Sequence, residues 1–459
     1  MRIVCGLKNG AVLQRETNNL CRCFFEAEAE GKVSSSLGNV VPLGEDRYEL
    51  CGIPVGGPYE IKLSDDKNEV CVKEIYVGDV WVLAGQSNME GAGKMREKQL
   101  REEENPVPTV RAYYMNESWD TARPQLHQLW ESADPWISEF SRKNYRESPW
   151  GMDHPEVQRN GVGPGLYFAL EMQRRTGGVP QGLIPCGIGG SSLEQWKPDT
   201  PCNYYAAMKR RFRECGGNIQ GVFWYQGESQ TYKEGCESFV SDMQMLVGAM
   251  RRDFQNPELP FVQVQIHKYH GAPKEADLWW TRIRELQRTL DQQIERLATV
   301  YSADCGTDDL IHLSGESQEE VGKRAAEAMN FLITGTGAGS PQFAYFEIVQ
   351  DEYEPFRVNI QITYRNIVNG LHSKGVASGF SLLEKPDGEP IREIARQHLG
   401  INTVRLQVEL DPEKIEEYYV CYGYGNTYYC NITDGAGRSI PAMGPLKIKD
   451  YLRTSHQVR

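Results

Sequence analysis

Two short segments hold the residue types that acyl transfer needs. In Val80-Trp-Val-Leu-Ala-Gly-Gln-Ser-Asn-Met-Glu-Gly91, a serine follows an apolar run. In Asp308-Asp-Leu-Ile-His-Leu-Ser-Gly-Glu316, a histidine stands three residues after a carboxylate. A serine hydroxyl becomes a nucleophile when a base takes its proton, and a carboxylate can hold that base in the right orientation. The chain has only 8 histidines, so candidates for the base are few. Asp309 has the spacing to orient His312, and Asp308 and Asp304 compete for that role. Each signal alone has a bland reading. Ser87 could be a helix N-cap, and a carboxylate three residues before a histidine arises easily by chance.

Two further segments carry groups suited to an oxyanion. Ile184-Pro-Cys-Gly-Ile-Gly-Gly-Ser-Ser-Leu-Glu-Gln-Trp196 ends a strand in Gly189-Gly190, where the backbone N–H can approach a ligand closely. The alternative there is an ordinary glycine turn. Gly221-Val-Phe-Trp-Tyr-Gln-Gly-Glu-Ser229 delivers Gln226, whose amide donates without adding charge, and Glu228, which reads better as a loop brace. Gln86, Trp196, Glu228 and His267 are the candidates for substrate contact. His267 and His270 form an HxxH pair. A metal site would need a third ligand and better spacing, so His267 reads as lining a cleft or capping a strand.

These segments need a sheet to present them. From Ile75, continuous apolar runs alternate with helical stretches. Strands are expected at Val80–Ala84, Val110–Met115, Gly182–Ile188, Gly221–Tyr225, Phe261–Ile266 and Ala298–Ser302. Helices are expected at Gly165–Arg175, Tyr204–Glu214, Phe239–Phe254, Thr281–Leu297 and Ser317–Phe331. Repeated strand–helix units imply a parallel sheet covered on both faces, with its site at the carboxyl ends of the strands. Residues 1–74 show short alternating runs between Gly- and Pro-rich turns, which reads as a β-sandwich-like domain. Residues 337–459 read as a second β-rich domain, leaving 75–336 as the catalytic domain. Its insertion, about 116–160, contains Trp119, Trp130, Trp136 and Trp150. These aromatics either wall a cleft or pack the insertion onto the body.

Bulk properties remove several classes. A net charge of −13 disfavours nucleic acid and anionic membranes as partners. No apolar stretch approaches the length of a membrane span. The first residues lack the pattern of a signal peptide, so the cytoplasm is the expected location, with a trimmed secreted form as the alternative. The 12 cysteines include no CxxC pair and read as buried free thiols.

Taken together, Gly85-Gln-Ser-Asn-Met89, Gly189-Gly-Ser-Ser192, Trp224-Tyr-Gln-Gly-Glu-Ser229 and Asp309-Leu-Ile-His312 resemble the SGNH, or GDSL-like, hydrolases. Within them, the chain is most similar to the sialate O-acetylesterase-like carbohydrate esterases. The likeness covers roughly Ile75 to Phe331, and Arg284-Glu-Leu-Gln287 also resembles a family helix. It implies a flavodoxin-like three-layer α/β/α domain and hydrolysis without metal or cofactor. It makes Ser87 the nucleophile, His312 the base and Asp309 the residue orienting that base. The oxyanion donors would be the N–H groups of Ser87 and Gly190 and the side chain of Gln226. Gln226 stands where the superfamily usually has asparagine; related carbohydrate acetylesterases with a WYQGES block look similar. The implied partner is an acetylated sugar, sialic acid or a plant glycan such as xylan or mannan. A carbohydrate-binding protein on a dead hydrolase scaffold and a lipid or thioester hydrolase are the competing classes. Oligomeric state is left open.

Overall fold

The change of rhythm at Ile75 lies inside a single strand. Glu69–Gly85 runs for 17 residues. Up to Glu74 its residues mix burial with exposure, as in a sheet with one wet face, and from Ile75 to Gly85 all are buried. The first part pairs antiparallel with Gly56–Ser64, and Val12–Gln14 runs parallel beside Tyr76–Gly78. The last part lies between Gln181–Pro185 and Gly221–Tyr225, parallel to both. The sequence changes character at Ile75 because the strand passes from a half-covered sheet to a fully covered one.

The computed structural model describes residues 1–147, 160–200, 204–351, 357–391, 394–426 and 428–453. The chain divides into two units. The first comprises residues 1–226, 242–262 and 312–330. Its N-terminal part holds an antiparallel sheet in the order Arg2–Cys5, Leu20–Glu28, Arg47–Pro54, Asn39–Gly44. Its main sheet runs in the order Trp119–Thr121, Val110–Tyr113, Gln181–Pro185, Glu69–Gly85, Gly221–Tyr225. The edge strand Trp119–Thr121 is antiparallel to its neighbour. Helices Gly165–Arg175, Tyr204–Glu214 and Gly315–Thr334 accompany it. Trp81 meets Phe168 edge-on at 5.1 Å, and Phe168 lies 5.2 Å from Phe223. All three side chains are fully buried. Each such side chain stabilises by about 1.5–3 kcal/mol, whereas an exposed ion pair such as Arg2–Glu28 is screened by water and adds little. The apolar core therefore dominates. Among the described residues, no helix is long and apolar enough to cross a membrane.

The second unit comprises residues 227–241, 263–311 and 331–459. It holds a four-stranded antiparallel sheet in the order Gln342–Gln350, Val358–Arg365, Thr403–Val408, Ile394–Leu399. A three-stranded sheet has the order Phe380–Leu383, Tyr419–Tyr422, Met443–Lys447. Ile360, Ile362, Leu382, Val404, Leu406 and Val420 are fully buried in one apolar core. Helix Asp277–Thr289 is fixed by buried amides. Gln265 Nε2 donates to the carbonyls of Arg284 and Ala442, both at 2.8 Å, and Gln287 Oε1 accepts the Ile266 N–H at 2.9 Å. This is the role of Arg284-Glu-Leu-Gln287 in the fold.

Two elements differ from expectation. The helix expected over 281–297 ends at Thr289, and Leu297 already begins a strand. Arg296 has φ +53°, a left-handed conformation that no helix continues through. Helix Glu97–Glu104 was not expected, because EKQLREEE has no apolar stripe; at its start the Arg96 N–H donates to Gln99 Oε1 at 2.9 Å. In the insertion, Trp119 packs 5.5 Å from Tyr113 and Trp136 stacks 5.0 Å from Tyr204. These two pack the insertion onto the body. Trp150 lies outside the described residues.

Candidate active site

The nucleophile block begins where the strand must leave the sheet. Gly85 has φ +137°, and a Cβ there would lie 2.1 Å from the Tyr225 carbonyl oxygen, so only glycine fits. Gln86 donates its N–H to the same carbonyl at 2.8 Å, then turns the chain into the single helical turn Ser87–Glu90. Gln86 occupies the cap position, without a side-chain cap bond. Ser87 is therefore the first helical residue, not the cap, and it is half-buried. Gln86 itself is buried beneath the turn.

The glycine turn hangs from the same place. The Gly85 carbonyl accepts the Ile188 N–H at 2.9 Å and the Ser191 hydroxyl at 3.3 Å. A Cβ on Gly189 would lie 3.7 Å from Ser87 Cβ, which sets the two segments side by side. Gly190 is exposed, with φ +68°. Among the described residues, the N–H groups of Ser87 and Gly190 have no protein acceptor. Gln226 Nε2 donates to the Ser191 carbonyl at 3.3 Å, so the third block closes onto the second. Trp196 is fully buried; its Nε1 donates to Ser191 Oγ at 3.0 Å, and it meets Trp224 edge-on at 5.2 Å. It supports the turn from behind and presents no face to a substrate.

His312 is half-buried on the loop before helix Gly315–Thr334. The next residue fixes that loop. The Leu313 N–H donates to Asn88 Oδ1 at 3.0 Å, and Gln318 Nε2 donates to the same oxygen at 3.2 Å. Asn88, fully buried beside Ser87, thus joins the serine turn to the histidine loop. Among the described residues, no hydrogen bond links Ser87 to His312; such bonds commonly tighten only when substrate binds.

Asn88→Ala is expected to leave the Leu313 N–H and the Gln318 amide unsatisfied. It should destabilise the protein by about 2–4 kcal/mol and lower turnover about 100-fold by misplacing His312. Denaturant unfolding and ester hydrolysis check the two effects separately.

The remaining candidates fall in the second unit. Asp309 is exposed, and its Oδ1 accepts the Ile311 N–H at 2.8 Å. Glu228 is buried in the short turn Glu228–Gln230. His267 is 1% exposed, with Nδ1 facing the Ser302 carbonyl at 2.8 Å. Burial pushes its imidazole down to about 3, so it stays neutral and braces that loop.

Two residues near the site escaped sequence reading. Glu90 Oε2 accepts the Gly189 N–H at 2.6 Å. Desolvation raises its carboxyl to about 7, opposed by that N–H and by His312. His127 is buried nearby; a Cβ on Gly187 would lie 3.2 Å from its Nε2 and 2.8 Å from the Glu90 nitrogen. Burial pushes His127 down to about 3, with Arg211 adding to the effect. The available signal for Glu90 was its place three residues after the serine, on the same side of a helical turn.

A family model described as carbohydrate esterase, sialic acid-specific acetylesterase, matches residues 77–330, a span that holds all four blocks. The chain belongs to this family. A probable carbohydrate esterase of Arabidopsis thaliana is 28% identical over 284 residues, covering 58% of this chain and 94% of that one. A solved carbohydrate acetylesterase from Xanthomonas citri superposes with a TM-score of 0.72 at 19% identity, over 96% of this chain and 99% of its own. The fold is thus shared along nearly the whole length, including the flanking β-rich parts. As a member of the sialic acid-specific acetylesterase family, the chain is a carbohydrate esterase built on the SGNH-type α/β fold.

Proposed function

We propose that this esterase removes acetyl groups from sugar hydroxyls through an acyl-serine intermediate, with Ser87 as nucleophile, His312 as base and Asp309 orienting His312. The observation that carries the reading is Asn88. Its buried carboxamide ties the turn that presents Ser87 to the loop that presents His312, while Gly189 lies against Ser87 on the other side.

In this mechanism His312 takes the Ser87 proton as the hydroxyl attacks the acetyl carbonyl. The oxyanion is met by the N–H groups of Ser87 and Gly190 and by the Gln226 amide. One such donor is worth about 100- to 1000-fold in turnover. The sugar oxygen leaves with the proton from His312. Water, activated by the same base, then releases acetate from the serine.

The sugar itself has two readings. Sialic acid would call for a cation to meet its carboxylate. Arg282, Arg284 and several arginines between Met95 and Asn160 are available by residue type; Arg284 is 1% exposed and donates to the carbonyls of Gly423 and Gly425. That removes Arg284 from contact with substrate and leaves the other arginines; the second reading is a neutral acetylated glycan such as xylan or mannan. Acetate release from 9-O-acetylated sialic acid and from acetylated xylan and mannan oligosaccharides, beside a chromogenic acetate ester, separates the two. Acetate from at least one sugar is the expected result, and the fastest member names the substrate; no acetate from any member would overturn the proposal.

A further inference from the structure

Glu90 is the one carboxylate of the serine block, and its contact runs to a different block. It stands three residues after Ser87, at the last position of the helical turn. Its Oε2 accepts the N–H of Gly189, 99 residues away, at 2.6 Å. A Cβ on Gly189 would lie 2.8 Å from that oxygen and 3.7 Å from Ser87 Cβ, so the carboxyl and the serine flank the same glycine. The following residue, Gly190, has φ +68° and nothing within 4 Å of a Cβ placed on it. Ile188 and Ser191 hold the turn from its two ends through the Gly85 carbonyl; the bond from the Gly189 N–H to Glu90 ties its middle to the serine's own turn. Charge-assisted bonds from a backbone N–H to a carboxylate are short and roughly twice as strong as neutral ones.

We infer that Glu90 is a positioning residue of the reaction: its carboxyl holds the Gly189–Gly190 turn so that the Gly190 N–H meets the oxyanion formed at Ser87. The inference rests on the reading of Ser87 and Gly190 given above and adds a residue to it. Catalysis then senses the charge of Glu90. The groups that face it are His312 from the loop before Gly315–Thr334, Tyr204 at the start of Tyr204–Glu214, and His127 beside its backbone. His127 is held neutral by burial. The negative charge of Glu90 contributes to raising the Tyr204 phenol, after desolvation. His312 favours the carboxylate, and burial favours the acid strongly enough to place the transition at about 7. As pH rises through that point the carboxylate forms, becomes a stronger acceptor for the Gly189 N–H and secures the turn. The acid limb of the rate profile should therefore contain two ionisations, one from His312 and one from Glu90.

The test uses the full chain, a chromogenic acetate ester and three variants, with kcat and KM followed from pH 5 to 9. Glu90→Ala is expected to lower kcat about 100-fold with KM nearly unchanged. Glu90→Gln keeps an acceptor oxygen but no charge, so it should act as the protonated acid does, with kcat above that of Glu90→Ala and below the parent's at pH 8. Its acid limb should contain one ionisation instead of two. A Glu90→Ala enzyme with wild-type kcat per folded molecule overturns the inference, even if its melting temperature falls. Superimposable pH profiles for wild type and Glu90→Gln overturn it too, and they decide the matter if the alanine variant does not fold. Ser87→Ala is the control. If it is inactive while the Glu90 variants behave as wild type, only this inference fails; if it remains active, the reading of the site fails first.

Discussion

Ser87→Ala is expected to fold as the parent does and to lose ester hydrolysis by about 10⁴-fold or more. The two halves of this expectation have separate causes. Stability is preserved because Ser87 is half-buried, makes no side-chain hydrogen bond among the described residues, and does not cap its own helical turn. Alanine also suits a first helical position. Activity is lost because alanine removes the oxygen that attacks the acetyl carbonyl. Residual rate, if any, would come from the N–H donors acting on direct attack by water. Acetate release, with circular dichroism and a thermal melt on the same preparation, checks both halves. Near-parental turnover would remove Ser87 from the mechanism.

Gly85→Ala is expected to be among the most destabilising single substitutions in the chain, by about 4 kcal/mol or more. Two penalties coincide there. The φ of +137° is open to glycine and strained for alanine. The added methyl would also lie 2.1 Å from the Tyr225 oxygen and 2.6 Å from its carbonyl carbon, which belong to the neighbouring strand and cannot swing aside. Relief would require parting Gly85 from Tyr225, which are paired in the parallel ladder. That would break the N–H bond from Gln86 and shift the turn beneath Ser87. Expression mostly as aggregate, or a chevron with greatly accelerated unfolding, is the expected outcome. Wild-type stability would mean that the strand end relaxes at little cost.

The order of strands and helices between Ile75 and Phe331 was legible because buried strands and amphipathic helices carry different periods. Gly221–Tyr225, Gly165–Arg175 and Tyr204–Glu214 fall where the pattern puts them. The four blocks were legible for a related reason. Each is an apolar run that ends abruptly in glycine and polar residues, the signature of a strand reaching the edge of a covered sheet. What one chain read in order does not display is the direction in which a polar or aromatic side chain points once the strand has ended. Trp196, Gln86 and His267 looked able to touch a substrate, yet all three are buried, Trp196 bonded to Ser191 and His267 set against the Ser302 carbonyl. Asn88 was passed over for the opposite reason. Its value depends on Leu313 and Gln318, 225 and 230 residues away, and no local pattern records that meeting.

The strand Glu69–Gly85 serves two sheets at once, and this makes the N-terminal β-part a ruler for the chemistry. Alternate residues of a strand face opposite sides, so a slip of one position would exchange every inward side chain for an outward one. The bulged ladder with Gly56–Ser64, the short parallel pairing at Val12–Gln14 and the flanking strands at Gln181–Pro185 and Gly221–Tyr225 all pin the same register. The place where the chain runs out of sheet, and therefore where Ser87 emerges, is counted from a hairpin some twenty residues upstream. Insertions in the loops of the N-terminal part leave that count untouched. A single residue gained or lost between Glu69 and Gly85 does not, so the position of the serine is only as fixed as the length of the strand that carries it.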